Sequence, residues 1–341
     1  MSTLTPDTPV VSSARPQLGA GLLLALVSAS AFGLSGSLAR GLLDAGWTAG
    51  AAVTARVALA ALVLAVPAAL AMRGRWALLL GQPRNLGTVA LYGVLAVAGA
   101  QLCYFYAVSY LQVGVALLIE YTAPVAVIVW MWLRHGQRPG RVTVLGAAVA
   151  AVGLALVLGV VSGVSLNVVG VLWGLGAMVG AASYFVISAD NDNGLPGTAL
   201  AAGGLTVGGV VLGTAGFVGV LPMRATTAGV EYAGHEVAWW VPVLGLGLVT
   251  AALAYVTGIA ASRRLGSRLA SFVALAEVVM ALVFAWVLLD ELPGPLQLAG
   301  GLLILAGVVV VKLGESGVQD VRLGEPEAAE VAEVAEVADA A

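Results

Sequence analysis

The sequence is short of charge. Its 341 residues carry 15 basic and 18 acidic side chains, only 10% of the chain, against 60% hydrophobic residues. Soluble chains run about 25% charged and about 45–50% apolar, so this one has too little polar surface to coat a water-soluble fold. A cytosolic enzyme is excluded. Lysine is almost missing: Lys312 stands alone, the net charge is −3, and there is no basic footprint for a nucleic acid. A single cysteine, Cys103, excludes an internal disulfide and a CxxC site. Histidine occurs twice, at His135 and His235, both between apolar stretches, which leaves no zinc cluster and no base beside a serine nucleophile. No GxxxxGK loop occurs, and Gly174-Leu175-Gly176 and Gly245-Leu246-Gly247 lack the third glycine of a dinucleotide site. No cofactor, metal or nucleotide-driven pump is expected.

What the chain has instead is apolar length, with a mean hydropathy of +1.02. Cutting it at its charges leaves ten apolar stretches, at 18–39, 47–72, 86–108, 112–133, 142–161, 168–189, 197–221, 239–262, 268–289 and 296–312. Each approaches the roughly 20 residues needed to cross a bilayer as a helix. Backbone groups in hydrocarbon must bond within the structure, and unbroken apolar runs without period-2 alternation point to helices rather than a barrel. The segment from Arg15 through Ala29-Ser30-Ala31 has the outline of a secretory signal, but the apolar run continues past Ala31 and nine more follow. Residues 1–17 read as a flexible lead, and 313–341 as an acidic, disordered tail with Glu327, Glu330, Glu333, Glu336 and Asp339 on a three-residue cycle that no helix face gathers.

Short loops on the cytoplasmic side collect Arg and Lys. With the N-terminus inside, twelve basic residues lie on that side, among them Arg73, Arg75, Arg84, Arg134, Arg138, Arg141, Arg263, Arg264 and Arg268, and only Arg40 and Arg224 lie outside. This predicts a multi-pass protein with both termini cytoplasmic. Sliding the chain by 154 residues lays Trp132 on Trp286, Pro139-Gly140 on Pro293-Gly294, Gly146 on Gly300 and Gly153 on Gly307. Five spans per half is an odd number, so the second copy enters from the opposite side. The expected fold is all-α and membrane-integral, ten transmembrane helices in two inverted five-helix repeats, 18–161 and 168–312, with a binding site between them near the midplane.

Three charges fall inside spans, where each costs at least about 2.5–3.5 kcal/mol and therefore faces a cavity, pairs, or carries protons or ions. They are Arg56, Glu120 and Glu277. Glu120 and Glu277 are candidates to couple substrate movement to protons. Arg56 is a counter-charge or an anchor for a substrate carboxylate, or else a structural partner of Glu120. Gln101, Tyr104 and Tyr121 are candidate substrate contacts, with Phe105 or Phe272 as apolar walls; hydroxyls bonded to neighbouring backbone would serve packing instead. Trp47, Trp76, Trp239 and Trp240 stand at span ends, where indoles anchor at headgroups. Glycines 170, 174, 176 and 180, and 204, 208, 209 and 213, have the spacing of close helix contacts, within one chain or across a homodimer.

The helix closing in Trp286, Leu288-Leu289-Asp290-Glu291-Leu292 and then Pro295-Leu296-Gln297-Leu298-Ala299-Gly300, set in a ten-helix, two-half pattern over residues 18–312, resembles the EamA-like transporters of the drug/metabolite transporter superfamily. Arg56 matches an arginine of that family's second helix, and Glu277 the acid of its ninth-helix Glu-Pro pattern, with Val278 in place of the proline. The resemblance implies an inner (plasma) membrane carrier, an exporter of small metabolites such as amino acids; the expected partners are the bilayer, the substrate and, on the reading of Glu120 and Glu277, protons. A membrane-embedded enzyme using paired carboxylates and a passive channel are the rival readings. On the carrier reading the acidic tail is accessory. Removing 324–341 is expected to leave flux in proteoliposomes unchanged, and a well-expressed truncation that lost flux would contradict it.

Overall fold

The computed structural model describes residues 14–123, 125–126, 129, 132–133, 136, 139–157, 167–189, 194–258, 260–261, 264, 273–311 and 313–314. Phe272, the basic residues 134, 138, 263, 268 and 312, and the acidic tail lie outside the described residues.

The apolar stretches form helices. In chain order these are α1 Ala14–Asp44, α2 Ala49–Ala71, α3 Trp76–Leu80, α4 Pro83–Tyr110, α5 Val113–Glu120, α6 Arg141–Val157, α7 Val168–Ala189, α8 Gly197–Phe217, α9 Trp240–Gly258, α10 Ala276–Leu289 and α11 Pro295–Val311. Within α1, α2, α4, α8 and α9 lie five stretches that are long and apolar enough to cross a membrane, and α6, α10, α11 and Val168–Tyr184 within α7 are shorter apolar helices. The expected single helix over 112–133 is interrupted. Helix α5 stops at Glu120, Tyr121 and Thr122 form a turn in which the Thr122 hydroxyl donates to the Ile119 carbonyl at 2.7 Å, and helix resumes at Ala123. Pro124, which has no amide hydrogen, cannot carry the hydrogen-bond ladder of α5 on past the turn.

The two halves match in detail. The 154-residue offset carries Arg141–Val157 onto Pro295–Val311 end to end. Tyr92–Gly99 within α4 and Gly245–Leu253 within α9 are both wound as π-helix, and the offset brings the first onto 246–253. It also lays the turn at Tyr121 on a turn at Leu275, just before α10. Packing runs between halves: α1 lies against α10, α4 against α7, α2 against α8, and α4 against α8. Exchanging the halves turns α4–α7 into α9–α1 and α4–α8 into α9–α2, both of which are observed contacts. The repeat is thus a two-fold in space as well as in sequence.

At the centre of that two-fold, α6 and α11 cross on glycine. A Cβ on Gly153 would stand 2.5 Å from the Gly300 carbonyl oxygen, and one on Gly300 2.6 Å from the Gly153 carbonyl oxygen. Gly146 and Gly307 face each other likewise, at 2.7 and 2.6 Å. The other glycine rows also pack inside the chain: Gly180 meets Ala100 on α4, Gly174 meets Ile119 on α5, and Gly208 meets Val97 on α4. Gly213 faces open space.

Between α8 and α9 a hairpin, β1 Val230–Tyr232 and β2 His235–Val237, turns through Ala233 and Gly234, both at positive φ (51° and 74°), the backbone a two-residue hairpin turn requires. It covers the end of the bundle where α1 finishes. Trp47, expected at a headgroup, is buried beneath the preceding loop and donates its indole N–H to the Thr226 carbonyl at 3.0 Å. Trp76 and Trp240 are exposed.

Enlarging Gly153 or Gly307 to alanine is expected to destabilise the protein by about 1–3 kcal/mol, the cost of overpacking a site where backbone meets backbone. Gly213→Ala should be neutral or stabilising. Thermal unfolding in detergent, followed by retention of the monodisperse peak, measures both.

Candidate functional site

The α1 segment from Gly33 to Gly41 is the hub of the site because its small residues, Gly33, Ser35, Gly36, Ser37 and Gly41, let neighbouring helices come to the backbone. Gly33 lies against the Glu277 carbonyl oxygen and Ala281 on α10, where a Cβ would come within 2.9 Å. Gly36 abuts the Tyr104 hydroxyl and Val113. Ser35 is the partner of Arg56.

Arg56 is buried, 4% exposed, and its guanidinium is engaged by protein on three sides. Nη1 donates to Ser35 Oγ on α1 at 2.6 Å, Nη2 donates to the Thr250 carbonyl on α9 at 2.9 Å, and the Phe105 ring on α4 lies 5.7 Å from Cζ, within cation–π range. Thr250 stands in the π-wound part of α9, a geometry that widens the helix and recurs at functional sites. Nε of Arg56 is buried with no hydrogen-bond partner among the described residues, as are Ser37 Oγ and Gln101 Oε1. Among the described residues no ion pair joins Arg56 to Glu120 or Glu277; the pairs present are Arg40–Asp44 and Arg40–Glu291. The structural Arg56–Glu120 pair considered from sequence is therefore not formed.

The carboxylates sit at the helix breaks. Glu120 is the last residue of α5 and Glu277 the second of α10, both half-buried. The Tyr121 hydroxyl, from the turn after α5, lies 2.9 Å from Glu277 Oε2 and 3.1 Å from the Ala274 carbonyl, tying the two breaks together. Glu120 has no hydrogen bond or ion pair with the described residues. Glu120, Glu277 and Arg56 lie within electrostatic reach of one another, with the neutral Tyr104 phenol beside them. Tyr255 on α9 meets Phe32 edge-to-face at 5.3 Å and has the Gln101 and Tyr92 side chains beside its hydroxyl, and Tyr92 packs on Tyr184 at 5.9 Å.

So the structure gathers Arg56, Gln101, Tyr104, Tyr121, Glu120 and Glu277 around one polar centre between the halves; Phe272 lies outside the described residues. Tyr106 does not join them: it stacks on Trp173 at 4.6 Å, a packing contact between α4 and α7. Sequence reading missed Ser35, Thr250 and Tyr92. The signal for the first was legible as the small-residue run from Ser28 to Gly41, while Thr250 acts through a backbone carbonyl that no side-chain pattern reveals. Among the described residues no group of three or more His, Cys, Asp or Glu could hold a metal.

The comparisons agree with this two-half arrangement. The model of the EamA-like transporter family matches residues 19–159 and again 168–313. No curated protein matches the chain. Among solved structures, one crystal structure aligns over 88% of this chain and 98% of its own with 20% identity and a TM-score of 0.56, a likeness of fold. A doubled match across most of the sequence, one copy to each symmetric half, settles the kinship: the chain belongs to the EamA-like transporter family and is a membrane transporter of the drug/metabolite superfamily.

Proposed function

We propose that the chain is a ten-helix secondary carrier that exports small metabolites, amino acids or related compounds, across the plasma membrane by alternating access, with proton coupling through Glu120 and Glu277. The bias of basic residues puts both termini in the cytoplasm and the hairpin outside. Two inverted halves with a site between them supply two pseudo-symmetric states, one open to each side.

The observation that carries the reading is the separation of charges at the breaks in α5 and α10. A buried guanidinium held by Ser35, Thr250 and Phe105 needs no carboxylate to keep it in place. Both glutamates are thereby left free to exchange protons, and Tyr121 positions one of them. Arg56 polarises the site and, through its unpartnered Nε, offers a donor to a substrate together with Gln101 and Tyr104. Helices interrupted at the level of the site present turn backbone and a carboxylate to the same space, which is how carriers of inverted-repeat architecture commonly build their sites.

Purified protein in liposomes, given a labelled amino-acid mixture and an imposed pH gradient, tests this. Wild-type protein should accumulate label with the gradient and show saturable counterflow without it. Glu120→Gln and Glu277→Gln should each abolish gradient-driven accumulation while sparing counterflow. If both variants kept gradient-driven uptake, the proton role would be wrong, and flux that never saturates would favour a channel.

Arg56→Lys keeps the charge but not the planar fork that serves Ser35 and Thr250 together. It is expected to weaken substrate-induced thermal stabilisation about tenfold in apparent affinity, roughly 1.4 kcal/mol. An unchanged titration would remove Arg56 from the site.

A further inference from the structure

The geometry points to the 230–237 hairpin as a lid over the outer mouth of the site, wedged between the two halves and withdrawn whenever the site opens outward; the inference rests on the carrier reading above. The hairpin tip makes two anchoring contacts, one to each half. The Tyr232 hydroxyl donates to the Leu38 carbonyl on α1 at 2.8 Å, and the Ala233 amide donates to the Leu288 carbonyl in the last turn of α10 at 2.9 Å. The last four carbonyls of a helix have no partner of their own, so the Leu288 contact satisfies a group that would otherwise need water. The Tyr232 ring lies on Gly41, where a Cβ would stand 2.5 Å from ring atoms, and Tyr232 is only 8% exposed. Burial, with Asp44 nearby, pushes the phenol well above its usual pKa, so it remains a donor.

Leu38 is one helical turn from Ser35, the residue that holds Arg56. The tip is therefore anchored on α1 one turn from the contact that holds Arg56. The loop leading to it is fastened to the α1–α2 turn by Thr48, whose hydroxyl donates to the Pro222 carbonyl at 2.7 Å, and by Thr226, whose hydroxyl donates to the Ala45 carbonyl at 2.8 Å. Beside it, Arg40 Nη1 donates to the Val108 carbonyl at 2.9 Å and lies 3.8 Å from Glu291, whose other oxygen accepts the Val113 amide at 3.2 Å. These contacts close α1, α4, α5 and α10 against one another at the outer end.

Among the described residues the inner end shows no equivalent of these contacts. The two-fold places α3 where the hairpin stands, yet α3 buries none of its residues, and Trp76 and Leu80 are exposed. Its tie to Asn85, whose side chain donates to the Leu78 carbonyl at 2.8 Å, is local. The lid thus biases the resting carrier toward a closed outer side. It sets which state waits for substrate; the gradient sets direction.

The test places single cysteines in a Cys103→Ala background. Ser37→Cys, beneath the lid, is probed with a membrane-impermeant maleimide from the hairpin side of oriented vesicles. It should resist labelling when the hairpin is intact and label about tenfold faster with Tyr232→Ala, as losing a buried hydrogen bond and its ring implies. Tyr232→Phe, which loses only the hydroxyl, should fall between. Equal labelling in all three overturns the lid. In parallel, a Gly41→Cys, Tyr232→Cys pair, joined by a short reducible thiol cross-linker, should stop counterflow of the labelled amino-acid mixture, and reductant should restore it. Unimpeded counterflow through the cross-linked pair overturns the lid while leaving the carrier reading intact. Absence of counterflow even in the parent protein counts against the carrier reading instead, and the labelling arm then decides the lid by itself.

Discussion

The contact on which the rest of the molecule depends is the crossing of α6 and α11 through Gly146, Gly153, Gly300 and Gly307. Lipid offers helices no hydrophobic reason to associate, so close backbone approach has to do the work that burial does in water. Four glycines, two from each repeat, let carbonyl meet backbone at distances no side chain would permit. Each glycine faces the mate of its own counterpart, so one crossing fixes the axis that relates the halves. The cross-half pairings, α4 with α7 and α9 with α1, α4 with α8 and α9 with α2, and α2 with α8, obey that same axis.

Chemistry sits where the symmetry is broken. At the 154-residue offset Arg56 corresponds to Val210, Glu120 to Ala274 and Glu277 to Ala123. The scaffold of paired π-wound stretches and paired helix breaks is common to both halves, while the charges are each used once. A symmetric frame can be read from either side of the membrane; a singular guanidinium and two carboxylates give it one site. The two ends also differ among the described residues: the hairpin end is pinned by side-chain and backbone contacts, while α3 at the other end buries none of its residues.

Much of this was legible in the sequence. Apolar runs gave the helices because length and lack of alternation suffice in lipid, and the glycines at 146, 153, 300 and 307 carried the repeat because only glycine serves at that crossing. The intramembrane charges marked the site because burying them is costly. Other features left only a weak one-dimensional trace or none. Arg56 takes its partners from Ser35, a residue type common in membrane helices, and from a main-chain carbonyl at Thr250 whose availability depends on π winding. The turn at Tyr121 and its bond to Glu277 join residues far apart in sequence, and Trp47 changes from a headgroup anchor to a buried donor only because the 218–229 loop folds over it.

The hairpin carries one further consequence in its own pairing. Glu231 stands directly opposite Glu236, two like charges at the centre of a ladder only three pairs long. An isolated two-stranded hairpin is marginal in water, and facing like charges weaken it further. Its order is therefore borrowed from Leu38, Gly41 and Leu288. For this segment folding and docking are a single equilibrium: on leaving the bundle it does not swing aside as a rigid flap but melts, and the entropy it regains offsets part of the contacts it gives up.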